Sequence, residues 1–368
     1  MFPKNAWYVA ATSEELGERP LGRRICDEAI VFFRGPGGTV AALDDFCPHR
    51  GAPLSLGTTC EGRIVCGYHG LQIGCDGHAV AMPGQRVRGF PGTRVYPVME
   101  RYGFVWVWPG EAPKADPAAI PHLAWAEDPE WAFGGGMFHV RCDFRLMVDN
   151  LMDLTHEKYV HATSIGQPEL DEAIPRTATE AGFIVTRREV SSVKAPPFWR
   201  SAMRSNGKDD DALVDRWQRC VFIPPSAVMI DVGVATAGRG GFDAPTDCKT
   251  AGIVVDLITP ETASSIWYFW GLARHFQAHD EALTRQIRDA QGKVFQEDLA
   301  MLEAQQRNLE ARPGSKLLNL NTDTGSVQAR KLIDQLVAAE RAPSVQVPAS
   351  GRPPATSAVE AREQRPVT

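Results

Sequence analysis

The chain has 368 residues, 43% of them hydrophobic and 23% charged, which suits a folded protein of about two domains and excludes a disordered or collagen-like polymer. Its net charge is −6 and its 39 basic residues are dispersed, so nucleic acid is not an expected partner. No window approaches the ~20 apolar residues of a membrane-spanning helix, the opening MFPKNAWYVA lacks the apolar stretch of a signal peptide, and the eight cysteines are too sparse for a disulfide scaffold, so a cytoplasmic protein with reduced thiols is expected.

From Trp7 to about Pro109 the chain alternates short β-type runs with turn signals. Ala29–Phe33 and Thr39–Leu43 flank the stretch Gly35–Gly38, and Asp76-Gly77 between Leu71–Ile73 and Ala79-Val80 reads as a two-residue hairpin turn. This predicts a small antiparallel β domain over residues 1–110. The segment 109–129, rich in proline, alanine and acidic residues, reads as the boundary. Beyond it, residues 111–342 mix strands and helices, an α+β pattern. Cys248–Thr259 and Ser265–Phe276 read as strands of one hairpin, and Asp280 to about Glu310 as a long amphipathic helix stopped by Arg312-Pro313-Gly314. Residues 343–368, Pro-, Ser-, Ala- and Val-rich without a period, are expected to be a disordered tail.

Two constellations carry chemistry. Residues 47–51 read Cys-Pro-His-Arg-Gly and residues 66–70 read Cys-Gly-Tyr-His-Gly, so two loops each offer one thiolate and one imidazole: Cys47 with His49, and Cys66 with His69. Zinc would take all four in one tetrahedron, whereas a Rieske [2Fe-2S] centre puts both cysteines on one iron and both histidines on the other. Gly51, Gly67 and Gly70 leave room for a bulky cluster.

The second constellation is the segment 149–161, Asp-Asn-Leu-Met-Asp-Leu-Thr-His-Glu-Lys-Tyr-Val-His. Asp149, Asp153 and His156 follow the rhythm of one helix face. The step from His156 to His161 turns about 140° around an ideal helix, so the helix must distort or end between them. Val160 stands where a zincin would need its second histidine. Two imidazoles and one carboxylate make a facial triad that leaves iron open to O₂ and substrate. The long helix offers the carboxylate. With Val294 at zero and ~100° per residue, Phe295, Met301 and Leu302 define an apolar face centred near 40°, where Asp298 also falls. A carboxylate in a buried face is costly unless paired or metal-bound. Glu297, about 100° away, is the weaker candidate. On the strand after Ser265, the run Trp267-Tyr-Phe-Trp270 with Arg274 is a candidate wall and cation for an aromatic acid.

Together the two constellations resemble those of the Rieske non-haem iron aromatic oxygenases. The likeness runs over nearly the whole chain up to the tail, through DDFCPHRGAPLSLG, GYHGL, DNLMDLTHEKYVHATSIGQ and TPETASSIWYFWG, and is strongest to those that demethylate vanillate. It implies a Rieske antiparallel β domain followed by a helix-grip-like catalytic domain. It implies a [2Fe-2S] cluster on Cys47, His49, Cys66 and His69, and mononuclear Fe(II) on His156, His161 and Asp298, with Asn150 near the iron. It also implies that Asp153 bridges to His69 of the neighbouring subunit in a homo-oligomer, usually a trimer in that family, with O₂ as co-substrate and NADH electrons arriving through a flavin- and ferredoxin-type reductase. The reaction implied oxidises the O-methyl group of vanillate to give protocatechuate and formaldehyde. Neither loop carries the additional cysteine of respiratory Rieske proteins, which favours the oxygenase type. Beside this reading stand the same machinery acting on another methoxy- or alkyl-aromatic acid (syringate, veratrate or a chlorinated analogue), an electron-transfer protein without oxygenase activity, and a zinc-binding regulatory protein.

Overall fold

Short β-prone runs broken by glycine turns produce, in the N-terminal third, the strands β1 (Tyr8–Thr12), β2 (Leu21–Ile25), β3 (Glu28–Arg34), β4 (Val40–Asp44), β5 (Thr58–Cys60), β6 (Arg63–Val65), β7 (Gln72–Ile73), β8 (Ala79–Ala81), β9 (Val98–Arg101) and β10 (Phe104–Val107). In the computed structural model, which describes residues 1–341, they form antiparallel sheets of order β1-β10-β9, β2-β3-β4 and β5-β6-β7-β8. The turn around Asp76-Gly77 is longer than the two-residue type expected. Gly74 N donates to His78 O at 2.9 Å and His78 N donates to Asp76 Oδ1 at 3.1 Å, so the aspartate side chain closes a wider loop. The expected disordered tail, 343–368, lies outside the described residues.

The remaining chain supplies β11 (Ala132–Val140), α1 (Phe144–Met152), α2 (Glu157–Val160), β12 (Arg176–Glu180), β13 (Phe183–Lys194), α3 (Pro197–Ser205), β14 (Leu213–Ile223), β15 (Ala227–Thr236), β16 (Lys249–Thr262), β17 (Ser265–Arg274), α4 (Glu281–Ala311) and α5 (Thr324–Arg341). Its strands make a seven-stranded antiparallel sheet of order β11-β17-β16-β15-β14-β13-β12. Because side chains alternate along each strand, the sheet has two buried faces. Val232, Val254, Tyr268, Trp270 and Leu272 share a core with Phe144, Met147 and Phe295 of the helices, while Val221, Met229, Val255 and Phe269 pack against Val9, Phe104 and Trp106 of the N-terminal sheet. The architecture is α+β: a β domain, then a helix-covered antiparallel sheet.

The long helix α4 begins where Asp280 caps the Leu283 amide at 2.9 Å. It lies close against the sheet at Gly292, where a Cβ would stand 3.1 Å from the Trp270 ring, and at Phe295, whose ring centroid is 5.3 Å from that of Tyr268. Leu283, Ile287, Gln291, Val294, Phe295, Asp298 and Leu302 are buried along one face. Met301, expected on that face, is 60% exposed, since it lies on the rim of the stripe.

One expectation fails locally. Asp149, Asp153 and His156 do not share a continuous helix face. α1 ends at Met152, because the Thr155 amide and hydroxyl both donate to Asp153 Oδ1 at 2.7 Å, and a side chain that binds nearby backbone amides competes with the helix. α2 then starts afresh, with His156 at its N-cap and His161 at its C-cap. Asp149 turns away to Arg330 of α5, whose Nε lies 2.7 Å from both carboxylate oxygens.

Candidate active site

The two N-terminal loops are built alike. Cys47 O accepts from Gly51 N at 2.8 Å and Cys66 O from Gly70 N at 2.9 Å, while each cysteine amide donates to the residue five positions on, Ala52 and Leu71. Gly51 and Gly70 both have positive φ, +70° and +76°, a backbone state that glycine adopts without strain. This places Cys47 and Cys66 side by side in a core with Leu54, Ile64 and Leu71, and His49 and His69 together on the exposed surface, ring centroids 4.5 Å apart. Burial pushes the Cys47 thiol above its usual range, with the adjacent Cys66 adding to the rise; a cation bound there would offset both effects. Thiols paired inside and imidazoles paired outside match the two unlike irons of a Rieske cluster better than a single tetrahedral ion.

The second centre joins three elements. His156 and His161 flank α2, and Asp298 comes from α4. Their ligand atoms lie within 4.8 Å of one another, with Asp298 Oδ1 3.3 Å from His161 Nε2 and 3.5 Å from His156 Nε2. Asn150 of α1 donates to Asp298 Oδ1 at 3.0 Å. Glu297, the weaker candidate ligand, instead supports a histidine from behind. Its Oε2 lies 2.7 Å from His161 Nδ1 and accepts from Ser164 Oγ at 2.8 Å. A carboxylate on the far nitrogen sets the tautomer and leaves Nε2 free to bind a metal. Burial would lower His161, but Asp298 and Glu297 outweigh it and raise its pKa; the negative field that favours a proton there equally favours a divalent cation. Behind Asp298, burial pushes the Asp256 carboxyl up to about 8. At neutral pH it therefore does not add a second full negative charge to the interior. Two imidazoles and one carboxylate at the edge of a cavity suit a metal with open positions.

That cavity lies between the helices and the sheet. Ile230, Val232, Val254 and Leu272 form its floor, and Val294, Phe295 and Phe198 bound it from the helices. Residues 6–97 match the Rieske [2Fe-2S] domain, and residues 140–339 match the vanillate O-demethylase oxygenase C-terminal domain. The vanillate O-demethylase oxygenase subunit of Pseudomonas sp. (strain HR199 / DSM 7063) is 62% identical over 93% of this chain and 96% of its own length. The chain belongs to the vanillate O-demethylase family of Rieske oxygenases. The dicamba O-demethylase oxygenase component of Stenotrophomonas maltophilia is 36% identical over 93% of this chain and 99% of that protein. The crystal structure of dicamba monooxygenase bound to 3,6-dichlorosalicylic acid superposes with a TM-score of 0.85 at 34% identity, covering 93% of this chain and 99% of that one. A Rieske cluster and a mononuclear iron are the cofactors of this oxygenase family, and an oxygenase component works with a reductase. Among the described residues no helix is long and apolar enough to cross a membrane.

In this Rieske oxygenase the candidate cation for an acidic substrate is not where the sequence places it. Arg274 is buried, donating to the carbonyls of Phe276 and Gln277 at 3.0 Å and to Thr284 Oγ1 at 2.8 Å; it ties β17 to α4. The aromatic run is no cavity wall either. Tyr268 and Trp270 pack under Phe295, Phe269 faces the opposite core, and Trp267 lies beneath the Arg23 guanidinium. Only Leu272 of that strand reaches the cavity.

A cluster unseen in the sequence sits below α2. Glu157, between the two histidines, is 3% exposed and lies 2.9 Å from Arg188 Nη2 and 3.0 Å from Arg216 Nη2; Gln218 also donates to it. Arg188 on β13 stands directly opposite Gln218 on β14, so the sheet register assembles the cluster. The network holds α2, and hence both imidazoles, against the sheet. Glu157→Gln would leave two buried guanidinium groups without a counter-charge. The expected loss is about 3–5 kcal/mol of stability, read from the denaturant midpoint of the purified variant, with normal stability counting against the anchoring role.

Proposed function

We propose that this chain is the terminal oxygenase of a vanillate O-demethylase, yielding protocatechuate and formaldehyde from vanillate, O₂ and NADH electrons relayed by a flavin- and ferredoxin-type reductase. The observation that carries this reading is the convergence of His156, His161 and Asp298 at the edge of an apolar-floored cavity. The identity of 62% to a vanillate O-demethylase oxygenase subunit supports the choice of substrate.

In this reading residues 1–110 form the electron-receiving domain and residues 111–342 the catalytic one. Cys47, His49, Cys66 and His69 hold the [2Fe-2S] cluster, and His156, His161 and Asp298 hold ferrous iron. When bound, that iron supplies the redox chemistry that activates O₂ toward the O-methyl carbon. The protein's own contribution is positional. Glu297 and Asn150 orient the ligands, and the cavity walls keep the ring of the substrate out of water.

Asp153 is the proposed bridge between the centres. Its partners among the described residues are Thr155 and His156, and its side chain remains 25% exposed. His69 is exposed too, so the electron path runs from His69 of one subunit to Asp153 of its neighbour in a closed homotrimer. We place the enzyme in the cytoplasm, where NADH is at hand and the thiols stay reduced.

Turnover with the reductase tests the reading: vanillate should release formaldehyde and protocatechuate with NADH consumed, and no turnover of vanillate would sink the substrate assignment. Syringate, veratrate and a chlorinated analogue are the comparison substrates. Anaerobically purified protein should hold the two irons and two sulfides of a Rieske cluster plus a further iron at the triad. Cluster iron alone would make the chain an electron carrier.

A further inference from the structure

We infer that Gln291 is a specificity-determining residue, the hydrogen-bond donor that receives the carboxylate of an aromatic acid at the end of the cavity remote from the metal ligands. The assignment rests on the demethylase reading and deepens it.

Gln291 is 7% exposed and lines the cavity, yet its amide makes no side-chain hydrogen bond among the described residues. A buried amide left unpaired is unfavourable, and native proteins satisfy nearly all such groups. The other amide and guanidinium side chains around this cavity each hold at least one partner. Asn150 serves Asp298, Gln218 and Arg216 serve Glu157, and Arg216 also donates to Gln167 Oε1 at 2.8 Å. Among these amides and guanidinium groups Gln291 alone makes no side-chain hydrogen bond, whereas Arg216 lacks a partner only at Nε; a ligand entering the cavity would complete the Gln291 amide.

Its place on α4 says which part of the ligand. Seven residues separate Gln291 from Asp298, two helical turns on the same face, so the amide lies roughly 10 Å along the axis from the metal ligand. A methoxybenzoate laid along α4 with its methyl carbon at the metal centre brings the carboxylate, its most distant substituent, toward Gln291. A phenol next to the methoxy group stays near the metal and does not reach. Between them Val294 and Phe295, one turn apart from both ends, and the floor residues Val254 and Leu272 supply the apolar contact for the ring. The side-chain NH₂ donates to the carboxylate, and because the acceptor is charged the bond is of the stronger kind.

Anaerobic titration calorimetry on the holoenzyme tests this. Gln291→Leu should weaken vanillate and 3-methoxybenzoate alike by roughly tenfold to a hundredfold. Guaiacol, which keeps the methoxy and phenol groups but has no carboxylate, should inhibit vanillate turnover by the variant and the parent with the same constant. Gln291→Met, close in volume and uncharged, removes the donor without burying a charge and should lose affinity for both acids to a similar degree. An unchanged vanillate affinity in both variants overturns the assignment, as does a loss for guaiacol equal to that for the acids. A parent enzyme that turns over no methoxybenzoate would instead defeat the demethylase reading on which this one rests.

Discussion

Asp298→Asn should abolish turnover and strip the mononuclear site of iron, lowering its iron affinity by at least about a hundredfold, beyond what loss of a residue that merely orients a ligand costs. The Rieske spectrum should survive, because Cys47 and Cys66 belong to a separate core with Leu54 and Leu71. The substitution is isosteric and removes a charge that is 4% exposed, so the iron-free variant should melt no lower than the iron-free parent. Loss of activity with unchanged melting separates a ligand from a structural residue. Glu297→Gln gives the contrast. Its carboxylate touches His161 Nδ1 and Ser164 rather than the ligand cluster, so iron binding should weaken only about ten- to a hundredfold. A full iron complement in Asp298→Asn, together with its loss in Glu297→Gln, would exchange the two roles.

Asp153→Asn should keep both the cluster and the third iron yet nearly halt catalysis. The Asp153 carboxyl is buried enough for its pKa to be pushed up, but the His156 imidazole 3.6 Å away and the hydrogen bonds from Thr155 outweigh burial and hold it below the usual carboxylate range. It is therefore charged across the neutral range and suited to a histidine on either side. An asparagine retains the Thr155 contacts and hence the end of α1, but it loses the charge that would bind His69 across the subunit boundary. Rapid mixing of the reduced variant with O₂ and vanillate should show cluster oxidation slowed by about a hundredfold or more. Oxidation at the parent rate would refute the bridge, and a monomer in sedimentation would remove the arrangement it needs.

What is legible in the chain alone follows from the range of the interactions. The twin loops are visible as Cys-x-His and Cys-x-x-His because each is closed by its own backbone: a carbonyl at the cysteine, an amide at Gly51 or Gly70. Helix α4 and the burial of Asp298 are visible because helical periodicity is local. The break at Asp153 escapes the pattern for the opposite reason, since a side chain that captures the Thr155 amide overrides the helical rhythm without changing the apolar spacing.

The sequence by itself determined the donor types and their spacing, the long helix with a carboxylate at the centre of its buried face, and the order of a β module before an α+β one. Only the tertiary structure decided what shares the cavity. Arg188 and Gln218 meet because β13 and β14 pair in one register, and a shift of one residue would turn both to the opposite face. Glu297 reaches His161, Arg274 turns to the β17–α4 connection, and Gln291 faces the same space as the metal ligands, because α4 crosses one particular end of the sheet. Local periodicity says which side of an element is buried, but what it is buried against depends on packing between residues far apart in the chain.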